Sequence, residues 1–167
     1  MIRTAALADG PALAEIYNWY IANTVITFEE EQVCAGDMAQ RIVVADETRP
    51  WLVLEDNSRI IGFACAERWK SRRAYRLARE TSVYFDHEHR GMGYGRELYE
   101  NLINALRQTP IHVLIAGIAL PNEQSIALHE NLGFEKVGQF REVGLKFGKR
   151  IDVGYWQLIL KPNTPPE

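Results

Sequence analysis

The sequence has little that would indicate a membrane protein, a disulfide scaffold or a nucleic-acid partner. It contains two cysteines, Cys34 and Cys65, which form no C-x-x-C motif, so we expect reduced structural thiols. The first residues lack the apolar stretch of a secretory signal, and no run reaches the length of a membrane span. A net charge of -3 provides no basic field for nucleic acid or anionic lipid. We therefore expect a cytoplasmic protein without nucleic-acid or membrane partners.

The composition is that of an ordinary globular protein. Of the 167 residues, 47% are hydrophobic and 25% are charged, and a chain of this length buries enough surface to fold without a metal or disulfide. His87 and His89 have no third ligand close to them in the sequence, and we predict no metal site. No repeat or linker divides the chain, so we predict a single domain over residues 1–160 and a flexible, proline-rich tail over residues 161–167.

Apolar periodicity predicts about four helices. The first is capped by Asp9 and has Pro11 in its first turn, and a weaker one runs from about residue 37 to residue 45. A third follows a glycine-rich segment, and a short fourth opens at Asn122 and ends at Gly133. The helical stripes comprise Leu13, Ile16, Tyr17, Tyr20 and Ile21 in the first helix, and Leu98, Tyr99, Leu102, Ile103 and Leu106 in the third.

Strand signals alternate with these helices. Residues 51–54 and 60–64 flank a run of turn formers and predict a β-hairpin, while residues 113–118 are apolar enough for a strand buried on both faces. The order of elements predicts a mixed α/β (α+β) sheet with at least one right-handed crossover. The remaining predicted strands cover residues 81–85, 134–143 and 151–160, with residues 144–150 as a connection.

The glycine-rich segment between the predicted strand at 81–85 and the third helix is suited to an anion. Gly91, Gly93 and Gly95 leave backbone N–H groups unscreened at a helix N-terminus, where a diphosphate binds well. Arg90 and Arg96 flank them and can add charge-assisted hydrogen bonds. The spacing does not match a dinucleotide-binding fingerprint, and no Walker lysine follows. A simple strand-to-helix turn would also explain the glycines, but neither arginine.

Two motifs resemble the GNAT acetyltransferase superfamily. Arg90, Gly93 and Gly95 fill its Arg/Gln-x-x-Gly-x-Gly/Ala signature, and Asn122 precedes a short helix that ends in Gly133-Phe134. The resemblance implies the GNAT fold, a central mixed sheet flanked by about four helices, with acetyl-CoA as co-substrate. It implies that the diphosphate lies on the amides of residues 91–96 and the pantetheine along residues 83–85. The cofactor-binding residues it implies are Val83, Tyr84, Phe85, Arg90, Gly91, Met92, Gly93, Tyr94, Gly95, Arg96, Asn122 and Ser125.

Further segments resemble the phosphinothricin and methionine sulfoximine acetyltransferases within that superfamily. They include residues 16–18, 26–29, 74–76, 80–84 and 152–154. The basic segment from Lys70 to Arg79 is either a solvated loop or, as the resemblance implies, a border of the acceptor pocket. The resemblance also implies a homodimer, in which the apolar strand at 155–160 pairs or packs across the interface. The implied acceptor-binding residues are Phe28, Glu29, Lys70, Arg72, Arg73 and Tyr75.

Two side chains are candidates for catalysis. An amine attacks a thioester only when it is unprotonated, so a proton acceptor is needed, and Glu80 precedes the predicted cofactor strand. A salt bridge to Arg76 or Arg79 is its alternative role. His129 occupies the place of a family tyrosine, and it can protonate the departing thiolate or relay the amine proton, unless it is structural. A backbone N–H within residues 83–85 is expected to face the developing oxyanion.

The resemblance implies an acetyltransferase that acts on a small amino acid. The expected acceptor is the α-amine of phosphinothricin or methionine sulfoximine, so the activity would be a detoxification. Direct attack in a ternary complex is expected, because neither cysteine is placed to carry an acyl group. One alternative keeps the donor but takes another amine or a protein N-terminus as acceptor. The other is a non-catalytic regulator that binds acyl-CoA.

Overall fold

Residues 1–89 and 93–161 are described in the computed structural model. In these two ranges, a seven-stranded sheet carries four α-helices, with two helices on each face. This arrangement confirms the predicted mixed α/β fold. The helices are α1 (Gly10–Asn23), α2 (Ala35–Val43), α3 (Tyr94–Arg107) and α4 (Glu123–Asn131). The strands are β1 (Ile2–Thr4), β2 (Trp51–Asp56), β3 (Arg59–Arg68), β4 (Ala78–Phe85), β5 (Val113–Ala119), β6 (Glu135–Lys146) and β7 (Lys149–Ile159).

The strand order is β1-β2-β3-β4-β5-β7-β6, which leaves β6 at one edge. Neighbouring strands of the described sheet are antiparallel except for β4 and β5, whose parallel pairing follows from the helix α3 that connects them. Strand β7 lies between β5 and β6 and is hydrogen-bonded on both sides. Residues 155–157 are thus paired on both sides, which leaves them no open edge for the predicted pairing across a dimer interface, while packing of this strand across an interface stays a prediction.

The sheet separates two apolar clusters. Helices α1 and α2 pack on one face, around Tyr17, Met38 and Phe63. Helix α3 packs on the other face, where Leu98 and Trp156 lie in the same buried cluster. The helical stripes predicted for α1 and α3 are buried along their length. The two hydrophobic faces thus fix which side of the sheet each strand residue points to.

The second hairpin is longer than the sequence predicts. Residues 144–150 were expected to connect two strands, but β6 and β7 run on until a turn of Phe147 and Gly148, with φ of 51° and 70°. Such positive φ values are what a two-residue hairpin turn requires. Gly144 pairs with Ile151 of β7, and the Phe28 ring lies against it so closely that a Cβ there would come 2.3 Å from Phe28 Cζ. This contact between distant segments cannot be seen in the local pattern.

Several element boundaries also differ from the predicted ones. Helix α2 begins two residues early because Cys34 caps it, with the Asp37 amide donating to Cys34 Sγ at 3.4 Å. Asp9 precedes α1, but its carboxylate accepts hydrogen bonds from Arg3 and from the Ala6 amide instead of capping that helix. Strand β4 begins at residue 78, and β1 was not predicted. The predicted tail lies outside the described residues, apart from Lys161.

Strands β4 and β5 diverge in the middle of the sheet. Their parallel pairing ends at Glu80 and Ile115, while β5 stays paired with β7 as far as Ala119. We call this point of divergence the fork. Strand alternation directs Glu80, Ser82 and Tyr84 to the face of α1 and α2, and directs the side chains between them to the other face. Glu80 therefore lies where the gap between β4 and β5 connects the two faces of the sheet.

Candidate active site

A groove of about 310 Å³ lies on the face of α3 and α4. We call it the β4–α4 groove. Most of the predicted cofactor-binding residues line it, whereas the side chain of Tyr84 points away and packs on the rings of Tyr17 and Phe63. The predicted residues Arg90, Gly91 and Met92 lie outside the described residues. The groove is lined by Tyr20, Ile26, Val83, Phe85, His89, Gly93, Tyr94, Gly95, Arg96, Asn122, Gln124, Ser125 and Leu128.

The N-terminus of α3 opens into this groove. Gly93 precedes the helix with φ of 83°, a conformation that favours glycine. A Cβ on Gly95 would come 3.7 Å from both Phe85 and Leu128, so a larger side chain at this position would narrow the groove. Backbone N–H groups at a helix N-terminus bind anions. The arrangement fits a phosphate-bearing ligand.

The far wall of the groove is the start of α4. Asn122 caps this helix, and its Oδ1 accepts a hydrogen bond from the Ser125 amide at 3.1 Å. Because both residues also line the groove, the cap fixes them there. Arg96, on the opposite side, is exposed and pairs with Glu100 at 2.8 Å. Such a surface ion pair is weak and can be exchanged for a ligand phosphate.

The edge of β4 beyond the fork offers main-chain hydrogen bonds. The Asp86 amide donates to the Ile61 carbonyl on the β3 side, and the Phe85 amide donates to the Tyr20 hydroxyl at 3.2 Å. The Tyr20 hydroxyl in turn donates to the Phe85 carbonyl at 2.8 Å. Because successive residues of a strand direct their amides to opposite sides, the Val83 amide faces the fork like that of Phe85. The Val83 amide is therefore the donor nearest to Glu80 on this edge.

Glu80 is a half-buried carboxylate without a hydrogen-bond donor among the described residues. Burial raises the pKa of Glu80, and the positive charge of Lys70 acts in the opposite direction. The alternative of a salt bridge to Arg79 is not what the structure shows, since Arg79 Nε donates to the Thr48 carbonyl at 2.6 Å. A carboxylate with an elevated pKa and no structural partner is suited to accept a proton.

His129 lies behind the groove wall, and its side chain is not among the groove-lining groups. The residue is 4% exposed, and burial lowers the pKa of its ring. Nδ1 donates to the Ser125 carbonyl at 2.7 Å, so Nε2 accepts from the Tyr99 hydroxyl at 3.1 Å. Thr81 lies 2.5 Å from that hydroxyl. Both ring nitrogens are occupied, so this geometry does not support direct proton donation by His129 to a group in the groove.

This buried chain of hydrogen bonds was not predicted from the sequence. It joins β4 through Thr81, α3 through Tyr99 and α4 through His129. Tyr99 looks like an ordinary apolar position of an amphipathic helix, and only the packing of three elements shows its polar role. The network fixes the position of Ser125 relative to the strand that bears Glu80.

Only part of the predicted basic segment lies near the fork. Lys70 lies over the Trp69 ring, with Nζ 5.2 Å from its centre, and its charge reaches Glu80. Tyr75 packs edge-on against the same Trp69 ring. Arg72 and Arg73 are exposed on the adjoining turn. Of the three predicted cations, Lys70 is the one that the structure couples to Glu80.

The predicted acceptor residues Phe28 and Glu29 have different surroundings. Phe28 packs on β6, and its loop is tied down by Lys146, whose Nζ donates to the Thr27 carbonyl at 2.8 Å. Both carboxylate oxygens of Glu29 accept hydrogen bonds from Arg41, each at 2.9 Å. Glu29 is thus engaged by a residue of α2 that the sequence did not single out. This pairing does not support a direct contact between Glu29 and an acceptor.

A second cavity, of about 340 Å³, opens on the face of the sheet that bears Glu80. Ser82, which is next but one to Glu80 on β4, lines it together with Glu67 and Arg41. Glu67 pairs with Glu80 in the β3–β4 register, so the cavity begins beside the fork. A ligand on this face and a ligand in the β4–α4 groove can therefore meet at Glu80.

Comparison with known proteins identifies the family. Residues 2–154 match the acetyltransferase (GNAT) domain. The chain belongs to the GNAT acetyltransferase family. This acetyltransferase is 35% identical to phosphinothricin N-acetyltransferase of Streptomyces viridochromogenes over 165 residues, which are 99% of this chain and 90% of the relative. It is 36% identical to L-methionine sulfoximine/L-methionine sulfone acetyltransferase of Salmonella typhimurium, with coverage of 99% and 98%.

A solved structure shows the same fold. The structure of yncA from Salmonella typhimurium with its cofactor acetyl-CoA superposes with a TM-score of 0.96 and 35% sequence identity, covering 100% of this chain and 97% of the other. The predicted GNAT fold and acetyltransferase class are thereby confirmed. None of the described helices could cross a membrane, and residues 1–89 and 93–161 contain no group of three metal-ligating side chains.

Proposed function

We propose that this acetyltransferase transfers the acetyl group of acetyl-CoA to the α-amine of a small amino acid such as phosphinothricin or methionine sulfoximine. The observation that carries the proposal is Glu80, a carboxylate with no hydrogen-bond donor within residues 1–89 and 93–161, which lies at the fork between the β4–α4 groove and the opposite face of the sheet. The names of the two relatives support this class of acceptor, and the acetyl-CoA in the yncA structure supports the donor.

The β4–α4 groove fits acetyl-CoA. The glycines before and within the first turn of α3 leave room for a diphosphate at the helix N-terminus. The open edge of β4 offers the Val83 amide to an extended chain, and Asn122 and Ser125 form the facing wall. Bound there, acetyl-CoA would supply an acetyl group on a sulfur whose conjugate acid has a pKa of about 8.5, a good leaving group.

The residues at the fork would act on the acceptor amine. Glu80 accepts the proton of the ammonium group, which frees the nitrogen lone pair for attack. The nitrogen then bonds to the acetyl carbon, the carbon–sulfur bond breaks, and the proton that the new amide nitrogen loses neutralises the departing thiolate, so that coenzyme A is released as the thiol. The Val83 amide donates a hydrogen bond to the carbonyl oxygen as negative charge develops on it. Lys70 lies near Glu80 and is placed to attract the carboxylate of the amino acid.

His129 acts in this proposal through Ser125. The ring fixes the first turns of α4 against α3 and β4, and this keeps Ser125 on the groove wall. A thiolate needs little help from an acid, so a buried neutral imidazole is compatible with turnover. The predicted catalytic role of His129 thus becomes a positioning role.

We further propose that the enzyme is a cytoplasmic homodimer that detoxifies amino-acid antimetabolites. Two unpaired cysteines fit a reducing compartment. Edge strand β6 and its turn expose several large apolar side chains, which is typical of an interface, and light scattering in solution tests the dimer. The exposed side chains are Val137, Phe140, Val143, Leu145 and Phe147.

An acceptor panel with released coenzyme A as readout tests the function. It contains phosphinothricin, methionine sulfoximine, methionine sulfone, glutamate and a short peptide. The proposal predicts stoichiometric thiol release and N-acetyl product with at least one of the first three acceptors. Turnover of the peptide alone would favour a protein N-terminus as acceptor. If none of the acceptors in the panel led to the release of coenzyme A, the proposal would be contradicted.

A further inference from the structure

A glycine in the central strand β5 is not required by the fold. Gly117 does not have the positive φ that favours glycine, and a Cβ added to it would make ordinary contacts of 3.4 to 3.8 Å. Glycine in a strand interior is less favourable than alanine and often marks the close approach of a ligand. Gly117 is also exposed, next to the fork. The side chains around Gly117 therefore indicate which group of a ligand approaches it.

The space above Gly117 lies between Glu80 and Tyr155. A Cβ there would be 3.5 Å from Glu80 Oε1 and 3.4 Å from Tyr155 Cε1, so both groups border one small volume. Tyr155 is the β7 partner of Gly117 in the sheet register, and the Phe140 ring packs edge-on against it at 5.6 Å. The Tyr155 ring is thus held over the glycine, beside the carboxylate.

The Tyr155 ring and the Glu80 carboxylate border the same space, and no hydrogen bond joins the two side chains in the described residues. Burial and the negative charge of Glu80 both raise the pKa of Tyr155. No hydrogen bond connects them, and neither has a hydrogen-bond partner elsewhere in the part of the chain that the structure describes. Two polar groups that face a shared gap, without partners, fit a ligand that bonds to both.

We propose that Tyr155 positions the acceptor amine together with Glu80 and that Gly117 provides the space that this amine occupies. The inference rests on the proposed acetyl transfer and deepens it. A neutral primary amine has two N–H bonds and one lone pair. If the Glu80 carboxyl oxygen that has not taken up the ammonium proton accepts one N–H and the Tyr155 hydroxyl oxygen accepts the other, the lone pair is left for the acetyl carbon at the fork.

This arrangement selects for primary amines. An N-methyl amino acid in its neutral form has a single N–H and cannot satisfy both acceptors, and its methyl group competes for the space above Gly117. One unmade hydrogen bond to a buried group costs about 1–3 kcal/mol, which corresponds to a roughly 5- to 150-fold preference for the primary amine. The acceptor class is therefore α-amino acids with a free primary amine.

The decisive variant is Tyr155→Phe, which keeps the ring and its contact with Phe140. The experiment measures kcat, both KM values and the preference for methionine sulfoximine over its N-methyl derivative, with Tm and calorimetric affinity for acetyl-CoA as readouts independent of turnover. We expect kcat to fall about tenfold and the preference to fall at least fivefold. The KM and affinity for acetyl-CoA, as well as Tm, should stay unchanged.

Two glycine variants complete the test. Gly117→Ala should raise the acceptor KM at least tenfold without lowering Tm, because the methyl group occupies the amine space. Gly138→Ala is the matched control, since Gly138 is the β6 partner of the same Tyr155 and no atom of the described residues lies within 4 Å of its added Cβ. This control should behave like the wild type.

The outcomes separate the two proposals. Unchanged kcat and unchanged preference in Tyr155→Phe would overturn the inference, as would loss of acetyl-CoA affinity in that variant. An equal rise of the acceptor KM in Gly138→Ala and Gly117→Ala would also overturn it. The rise would then result from replacing any strand glycine beside Tyr155 and not from filling the amine space. A wild-type enzyme that acetylates no acceptor contradicts the proposed function itself.

Discussion

Replacing Glu80 by glutamine isolates the charge of the candidate base. The substitution keeps the volume of the side chain, and in the described residues Glu80 makes no hydrogen bond that the amide would lose. Burial raises the pKa of Glu80 in the folded protein, so its ionised form destabilises the fold at any pH above that pKa. We therefore expect Glu80→Gln to leave Tm unchanged or slightly higher at pH 7.

The expected loss of activity is much larger than any change in stability. A positioned general base contributes about 10²- to 10⁴-fold to the rate, or roughly 3–5 kcal/mol of the barrier. Glu80 points to the face opposite the β4–α4 groove, so calorimetric affinity for acetyl-CoA should not change. The predicted result is a kcat at pH 7 about 100- to 10,000-fold lower, in a protein that still folds and binds the donor.

The assay follows released coenzyme A with methionine sulfoximine from pH 6 to pH 9.5. Because the free-amine fraction rises with pH, the variant should recover part of its rate at the alkaline end. The wild type gains less over that range, so the two profiles should converge. A variant that keeps more than a tenth of wild-type kcat at pH 7, or that loses affinity for acetyl-CoA, would refute the role assigned to Glu80.

Three further variants test the surroundings of the fork. Lys70→Met removes the charge that lowers the Glu80 pKa, so the acidic limb of the kcat profile should move to higher pH, and an unmoved limb would count against the coupling. His129→Ala removes a buried ring with two hydrogen bonds and should cost about 3 kcal/mol in urea unfolding, whereas a cost below about 1 kcal/mol would contradict the network. Gly93→Val places a β-branched residue at φ of 83° and should weaken acetyl-CoA binding at least tenfold, as measured by calorimetry. An unaltered affinity would exclude the N-terminus of α3 as the anion site.

Local sequence patterns predicted most elements because their signals are short-range. The stripe of α3 and the apolar run of β5 depend on residues within a few positions of one another, and both elements form as expected. The strand β1 has three residues and too short a pattern to detect. The glycine at 144 is explained by Phe28, more than a hundred positions away, whose ring leaves no room for a Cβ there.

The candidate site also has parts that sequence motifs predict and parts that depend on contacts between distant segments. The glycines before α3 and the Asn122 cap belong to compact motifs, so the β4–α4 groove could be located from the sequence. The partners of Glu29 and His129 are Arg41 and Tyr99, which lie on other elements and carry no motif. The juxtaposition of Glu80, Gly117 and Tyr155 depends on three strands meeting at the fork. No pattern along the chain encodes that meeting point.

The most direct test of the account is a crystal structure of the enzyme with acetyl-CoA. We predict that the pantetheine follows the open edge of β4 and that the thioester carbonyl lies within hydrogen-bond distance of the Val83 amide, with the acetyl carbon facing Glu80. A complex in which the acetyl group ends elsewhere than the fork, or in which side chains close the β4–α4 groove, would contradict the account.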